Sequence, residues 1–355
     1  MTKWVYFFGA GKAEGDSSWR DLLGGKGAGL AEMTTLGLPV PPGLTISTEL
    51  CNRLVAKAAS VGKDADAMAE ILEGVSKVEK SMGARLGDPE SPLLVSVRSG
   101  ARASMPGMMV TILNLGMNDA VCEGLAKKTK NRRFALDAHR RFRAMFGDVA
   151  LGVKKALFEH ALEEVRAVVA KQKGIDTTRI NSEELKKKLP DSEIPEAELE
   201  RLVAAFKAII QKETGKDVPS QPKDQLTAAI DAVFHSWNNP RAIVYRRMHD
   251  IPDSWGTACT VQAMVFGNLS GAGGKPGSHA SATGVAFTRD PSTGEKKLYG
   301  EWLPNAQGED VVAGIRTPQP LRKAPGTAAS LEEQMPETFT ELMRMTLEAA
   351  ACWLD

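Results

Sequence analysis

Cationic side chains beside glycine-rich turns are the residues of this sequence best suited to chemistry. Arg98 follows the apolar run at residues 93–97 and precedes a loop with a second arginine, Arg102. That loop also contains Ser99, Gly100, Ala101, Gly107 and Met108. Backbone N–H groups, hydroxyls and guanidinium groups are the donors that bind phosphate oxygens. The stretch therefore predicts a phosphate-binding loop.

Lys26 lies in a second glycine-rich stretch, at residues 24–29, where a helical pattern begins. A glycine turn entering a helix offers unpaired N–H groups and the positive end of the helix dipole to an anion. The stretch matches neither GxxxxGK[ST] nor GxGxxG, so a flexible helix start with a solvated lysine is the open alternative.

A third glycine-rich stretch covers residues 267–284, while the sequence has no HExxH motif, no serine–histidine–aspartate spacing and no clustered metal ligands. Phosphoryl transfer requires cations and backbone N–H donors close to the phosphate oxygens on which negative charge develops in the transition state. Lys26, Arg98 and a few N–H groups would suffice to bind a nucleotide. The three stretches together therefore favour polyphosphate chemistry.

Hydrophobic periodicity predicts the elements that must position these residues. Strands are predicted within residues 4–8, 44–47, 93–97, 260–266 and 307–315, with a hairpin over 283–303 that turns at 290–294. Helices are predicted over residues 22–37, after Ser47 or Thr48, over 68–82 and 226–235, from Pro240, and over 331–354.

Residues 119–226 differ from the rest because their pattern is almost wholly helical, with lysine and glutamate runs, which predicts an inserted helical lobe. One of its helices carries five arginines, namely Arg132, Arg133, Arg140, Arg141 and Arg143. Two interpretations stay open: plain surface charge, or a docking patch for a phosphorylated or acidic partner surface.

Composition limits the remaining possibilities. The 355 residues are enough for two or three lobes, and a net charge of +1 argues against a nucleic-acid partner while leaving small anions open. The four cysteines are far apart, which indicates a reduced, cytoplasmic type of compartment and disfavours a zinc site. No stretch approaches the roughly 20 apolar residues of a membrane helix, and organellar targeting stays open.

Several strings closely resemble the N-terminal, nucleotide-binding domain of the pyruvate phosphate dikinase family. They are LLGGKGAGLAEM, DPESPLLVSVRSGARASMPGMM, KDQLTAAIDAVFHSWNNPRAIVYRRM, GVAFTRDPSTGE and NAQGEDVVAGIRTPQP, and the likeness extends over residues 3–320. Phosphoenolpyruvate synthase and glucan water dikinase share looser versions of these strings. An enzyme of either kind, or a nucleotide-binding fragment without catalysis, is the alternative.

The resemblance implies an α/β fold of the ATP-grasp-like type, in which two α/β lobes enclose an ATP cleft and the first lobe carries a helical insertion. The expected boundaries are residues 1–118 with 222–248 for the first lobe, 119–221 for the insertion and 249–355 for the second lobe. The implied enzyme converts ATP, phosphate and pyruvate to AMP, pyrophosphate and phosphoenolpyruvate. Its phosphoryl carrier is a histidine on a separate swivelling domain, and a barrel domain binds pyruvate.

The resemblance also assigns roles to individual residues. Lys26 falls on the phosphate-contacting lysine of the family and Arg98 on its ATP-binding arginine, so both are expected to be catalytic. The predicted adenine-side residues are Gln262, Met264 and Val265, and the loop over the phosphates ends at Thr283 and Gly284. The carboxylates that bind Mg²⁺ are expected beyond residue 355, the full enzyme is expected to be a homodimer, and this chain alone is expected to lack the full activity.

Overall fold

The computed structural model describes residues 3–177, 180–269, 281–312, 316–323 and 330–352, and the fold is of the mixed α/β kind. The chain divides into two compact units. The first unit comprises residues 1–128, 135–159 and 201–264, and the second comprises residues 129–134, 160–200 and 265–355.

Among the described residues, eight strands and ten α-helices precede residue 264. The strands are β1 (Val5–Gly9), β2 (Lys12–Ala13), β3 (Gly43–Ile46), β4 (Arg85–Leu86), β5 (Pro92–Leu93), β6 (Val95–Gly100), β7 (Thr111–Leu115) and β8 (Ala258–Ala263). The helices are α1 (Arg20–Thr35), α2 (Thr48–Ala56), α3 (Ala65–Met82), α4 (Asp119–Thr129), α5 (Arg132–Val149), α6 (Lys155–Gln172), α7 (Ser182–Lys188), α8 (Glu196–Thr214), α9 (Pro222–Ser236) and α10 (Pro240–Met248).

A six-stranded antiparallel sheet in the order β2-β1-β3-β8-β6-β7 is the centre of the first unit. Side chains alternate between the two faces of a strand. Leu44 of β3 therefore faces α3, where a Cβ on Gly74 would lie 2.9 Å from its Cδ2 atom. Its neighbour Thr45 faces α1, where a Cβ on Gly27 would lie 2.7 Å from its Cγ2 atom. The sheet is thus covered on both faces.

Several sequence predictions are confirmed in this unit. Ser47 caps α2 by accepting a hydrogen bond from Leu50 N, and α3 ends at Gly83, which has a left-handed backbone with φ of 59°. At the end of α1, Gly37 N donates to Thr34 O and Leu38 N to Met33 O. This pair of bonds is a Schellman motif, which requires the positive φ that Gly37 adopts.

Three strand predictions need correction. The strand β6 continues through Arg98 to Gly100, although these residues were expected to start a loop, because β8 and β7 supply hydrogen-bond partners on its two sides. The strand β7 was not predicted at all. The strand β8 ends at Ala263 and lies in the sheet of the first unit, whereas the expected boundary at residue 249 would place it in the second lobe.

In the range 119–226, the described residues lie mainly in helices, as predicted, but three of the arginines in this range are not surface charges. Arg140, Arg141 and Arg143 are all buried. Arg140 Nη2 lies 2.6 Å from Asp137 Oδ1, and Arg141 Nε lies 3.1 Å from Asp137 Oδ2. A buried cation requires a partner of opposite charge, and the carboxylate three or four residues away provides it. The surface interpretation is therefore wrong for these side chains.

Arg143 belongs to a second buried polar group in the first unit. It donates to His139 Nε2 at 3.0 Å and to Asp217 Oδ1 at 2.8 Å, and Lys207 Nζ lies 3.3 Å from Asp217 Oδ2. Burial, followed by the Arg143 charge, lowers the pKa of His139 to about 4. His139 is therefore neutral and accepts a hydrogen bond at Nε2.

The second unit contains a three-stranded sheet in the order β11-β10-β9. Its strands are β9 (Ala282–Phe287), β10 (Tyr299–Pro304) and β11 (Gln319–Pro320), and its later helices are α11 (Gly308–Val312), α12 (Leu331–Gln334) and α13 (Pro336–Cys352). The predicted hairpin is confirmed, with Tyr299 opposite Phe287. Trp302, Leu321, Leu331 and Phe339 form an apolar cluster.

Two predictions are wrong in the second unit. The strand expected within residues 307–315 is replaced over Gly308–Val312 by α11, at whose start the Asp310 carboxylate accepts from Gln307 N at 2.9 Å; residues 313–315 lie outside the described part. The single helix expected over 331–354 is interrupted at Met335, because Pro336 lacks an N–H group and excludes helical geometry from the residue before it.

Candidate functional site

Lys26 and Arg98 lie close enough together in the first unit for their charges to repel each other. Lys26 is an exposed residue of α1 whose ammonium donates to Ser99 O at 2.9 Å. Arg98 is half-buried on β6, and its Nε atom is buried without a hydrogen-bond partner among the residues that the structure describes. Loss of solvent, followed by the Arg98 charge, lowers the pKa of Lys26, and burial lowers the pKa of Arg98. In the described part of the chain, neither cation forms a salt bridge with a carboxylate.

Gln262 of β8 holds the Arg98 guanidinium. Arg98 lies opposite Thr260 and Gln262 lies opposite Ser96, so the two side chains are diagonal neighbours on one face of the sheet. Arg98 Nη2 donates to Gln262 Oε1, and Gln262 Nε2 donates to Pro41 O at 2.9 Å. The carboxamide therefore connects the arginine to the proline-rich turn before β3.

Gly24 allows α1 to approach β6. Its φ is +67°, and a Cβ at this position would lie 1.6 Å from Gly100 O. Only glycine tolerates both the left-handed backbone and this contact. The next residue, Gly25, donates from its N–H group to Ala101 O at 3.0 Å. The glycines thus bring Lys26 beside the strand that carries Arg98.

The backbone donors of the predicted phosphate loop are largely engaged within the protein. Ser99 N donates to Val110 O at 3.4 Å, and Gly100 N donates to Thr257 Oγ1 at 3.2 Å. Met108 N donates to Met105 O at 3.2 Å. The expectation of free N–H groups is therefore wrong for Ser99, Gly100 and Met108, because β6 extends further than predicted and the loop turns upon itself.

The rest of the loop packs against apolar side chains. Ala101 and Met108 contact a buried cluster of Met105, Trp237 and Ala242, while Gly107 forms an open turn with φ of +71°. Arg102, the second arginine of the loop, lies 2.8 Å from Asp21 Oδ1 and 4.5 Å from the centre of the Trp255 ring. Packing and pairing thus fix the loop beside the two cations.

The structure divides the predicted adenine-side residues between the two units. Gln262 and Met264 lie in the first unit, where Met264 N donates to Leu94 O at 3.0 Å. Val265 is 70% exposed and belongs to the second unit, as do Thr283 and Gly284 of β9. Residues 270–280 of the glycine-rich loop lie outside the described part.

The second unit contains polar residues that the sequence analysis did not select. Both carboxamide atoms of Gln307, and Asn305 Oδ1, are buried without a hydrogen-bond partner in the described part. Arg316 Nη1 donates to Asn305 O at 3.1 Å, and burial lowers the pKa of Arg316. Asn305, Gln307 and Arg316 all lie in the NAQGEDVVAGIRTPQP string. That string contributes to the family resemblance, but none of its residues is among the predicted site residues.

Comparison with known proteins identifies the family. A family profile described as "Pyruvate phosphate dikinase, AMP/ATP-binding domain" matches residues 60–351. The chain belongs to the pyruvate phosphate dikinase family. It is 51% identical to the pyruvate, phosphate dikinase of Rhizobium meliloti over 350 residues, which are 97% of this chain and 36% of that protein. The Clostridium symbiosum relative is 48% identical over 98% of this chain and 36% of its own length.

A plant relative, the chloroplastic pyruvate, phosphate dikinase 1 of Oryza sativa, is 50% identical over 96% of this chain and 32% of its own length. The chain thus spans about a third of the length of these pyruvate phosphate dikinases. None of the helices in the described ranges combines the length and the apolar character needed to cross a membrane.

Proposed function

We propose that this chain is the ATP-binding part of a pyruvate phosphate dikinase and that Lys26 and Arg98 bind the phosphate chain of the nucleotide. The observation that carries the proposal is the pairing of two neighbouring cations that share no carboxylate in the described part of the chain. The positive charge of Arg98 disfavours the charged form of Lys26, because like charges repel. A bound polyphosphate relieves this repulsion and accepts charge-assisted hydrogen bonds.

The proposed chemistry is phosphoryl transfer, in which the protein mainly positions groups and stabilises charge. Arg98 and Lys26 would neutralise charge that develops on the transferring phosphoryl group and on the leaving phosphate. In the complete enzyme, the acceptor would be a histidine of a swivelling domain, and phosphate would be consumed as AMP and pyrophosphate form. A barrel domain would then pass the phosphoryl group to pyruvate. We propose the ATP-grasp-like arrangement and the homodimer on the same family resemblance, with the second lobe beginning after β8 rather than at residue 249, because β8 belongs to the sheet of the first unit.

The family also implies Mg²⁺. Within the described ranges, no group of three or more histidine, cysteine, aspartate or glutamate side chains could hold a metal ion. Gln307 and Asn305, with their unpartnered amide atoms, are polar groups that the second unit could offer to a nucleotide or phosphate.

Titration of the protein with ATP tests the proposal. One charge-assisted hydrogen bond contributes about 1.5–3 kcal/mol, so Lys26→Met and Arg98→Met should each weaken ATP binding by roughly 10- to 150-fold. Lys80→Met on α3, which covers the opposite face of the sheet, is the matched control and should bind ATP normally. In the full-length enzyme, Arg98→Met should abolish AMP formation and leave pyruvate–phosphoenolpyruvate exchange intact. Normal ATP affinity in both cation variants would contradict the proposal.

A further inference from the structure

We infer that Gln262 is a positioning residue that orients the Arg98 guanidinium for a polyphosphate ligand and keeps its charge available, and that it does not contact the base. This inference rests on the proposed function, because it concerns how the same site binds phosphate.

Both ends of the Gln262 carboxamide are already engaged. Oε1 accepts from Arg98 Nη2, and Nε2 donates to Pro41 O at 2.9 Å. The side chain is buried, with 6% of the residue exposed. A glutamine that read a base would need a free donor and a free acceptor on the same edge. Each of the two atoms keeps one further hydrogen-bonding position, but the buried side chain presents little of that edge to a ligand.

The connection ends in rigid backbone. Pro41 belongs to the proline-rich turn that leads into β3, and the carbonyl of the next residue, Pro42, accepts from Ala263 N at 2.9 Å. Gly43 pairs directly with Gln262 across the sheet. Gln262 therefore connects the guanidinium of Arg98 to a turn of fixed position. Because the arginine is already ordered, less conformational entropy is lost when a ligand binds.

The neutral amide matters as much as the geometry. A carboxylate at this position would form an ion pair with Arg98 and would also set its second oxygen against Pro41 O, where a donor is required. A glutamine accepts from the guanidinium without neutralising it. Arg98 and Lys26 consequently retain two positive charges for the phosphate chain.

The test compares ligands that contain different parts of ATP. Gln262→Met preserves the length of the side chain but removes both hydrogen bonds. We expect it to weaken binding of inorganic tripolyphosphate and of ATP by the same factor, roughly 3- to 10-fold, and to leave adenosine binding unchanged. Gln262→Glu should weaken tripolyphosphate binding further and reduce its dependence on salt concentration, because the ion pair with Arg98 removes a charge from the site.

A double-mutant cycle separates positioning from a general structural role. In an Arg98→Met background, Gln262→Met should have no further effect on tripolyphosphate affinity, because its action passes through the arginine. An effect that persists in that background, or a loss of adenosine binding with normal tripolyphosphate binding, would overturn the inference. Ser96→Ala, which removes a hydroxyl that donates to Gln262 O, is the control for local sheet damage.

Two further outcomes are distinguishable. If the unmutated protein binds neither ATP nor tripolyphosphate, the proposed function fails; if it binds both and Gln262→Met binds them equally well, only the role of Gln262 fails. Should neither glutamine variant fold, the side-chain amide resonance of Gln262 in the unmutated protein provides the measurement. It should shift on addition of tripolyphosphate and remain unchanged on addition of adenosine, and the reverse pattern would refute the inference.

Discussion

Replacing Gly24 by alanine tests whether close packing between α1 and β6 builds the cation site. The added Cβ would lie 1.6 Å from Gly100 O, although Cβ atoms in proteins essentially never lie within 3.0 Å of such an atom. The backbone of Gly24, with φ of 67° and ψ of 171°, lies in a region essentially restricted to glycine, which costs alanine about 1–3 kcal/mol. The backbone shift that relieves the overlap costs about 1–3 kcal/mol. We therefore expect Gly24→Ala to reduce the free energy of unfolding by about 2–6 kcal/mol.

Gly29→Ala in the same helix is the matched control. Nothing lies within 4 Å of a Cβ at Gly29, and its backbone is helical. The exchange should therefore increase the free energy of unfolding by about 0.5–1 kcal/mol, as alanine does in helix interiors. Urea unfolding followed by far-ultraviolet circular dichroism measures both changes. A Gly24→Ala protein that unfolds within about 0.5 kcal/mol of the unmutated protein would refute the packing argument.

Three more changes test other parts of the structure. The pKa of His139 is about 4 in the folded protein and 6.5 in the unfolded chain. The free energy of unfolding should therefore fall by about 3 kcal/mol as the pH falls from 6.5 towards 4. Urea unfolding at several pH values should show that His139→Gln removes this pH dependence and that His160→Gln, at an exposed position, does not. Asp137→Asn should reduce the free energy of unfolding by about 3–5 kcal/mol, because it removes a carboxylate that lies against two buried arginines, whereas Glu73→Gln in an exposed ion pair should cost less than about 1 kcal/mol. Gly284→Ala would put a Cβ 2.6 Å from Glu301 O, and faster amide hydrogen exchange in β10 should report the damage to the second sheet.

Hydrophobic spacing was sufficient to predict an element where the large apolar side chains are also the ones that pack against the sheet. In α3, the apolar residues Met68, Ile71, Val75 and Val78 recur at helical spacing and are buried, whereas Leu72 and Met82 are each 38% exposed. In α1, the larger apolar residues are a poorer guide, because Leu30 and Met33 are only half-buried. The face of α1 that packs against the sheet is instead made of small residues, among them Gly24, Gly27, Ala28 and Ala31. Small residues permit a close approach that hydropathy alone does not indicate.

Long-range pairing explains the remaining errors. Residues 98–100 read as a loop because arginine, serine and glycine are poor strand formers, and no local signal reveals that β8 will pair with them. Likewise, Arg140 and Arg141 resemble surface charges until the fold buries them with Asp137. The family resemblance gave Lys26 and Arg98 their separate roles, but their proximity and the bond from Arg98 to Gln262 depend on packing and sheet register, which the sequence does not specify.

The order of the large sheet has a consequence for how the protein is made. The strand β8 lies between β3 and β6, yet about 150 residues separate it from β7 along the chain. A ribosome that adds about 5–20 residues per second needs roughly 10–30 s to produce that interval. During this time, β3 and β6 each present an unpaired edge, and such edges recruit strands from other nascent chains. We expect chaperone binding during synthesis to be strongest before residue 263 emerges.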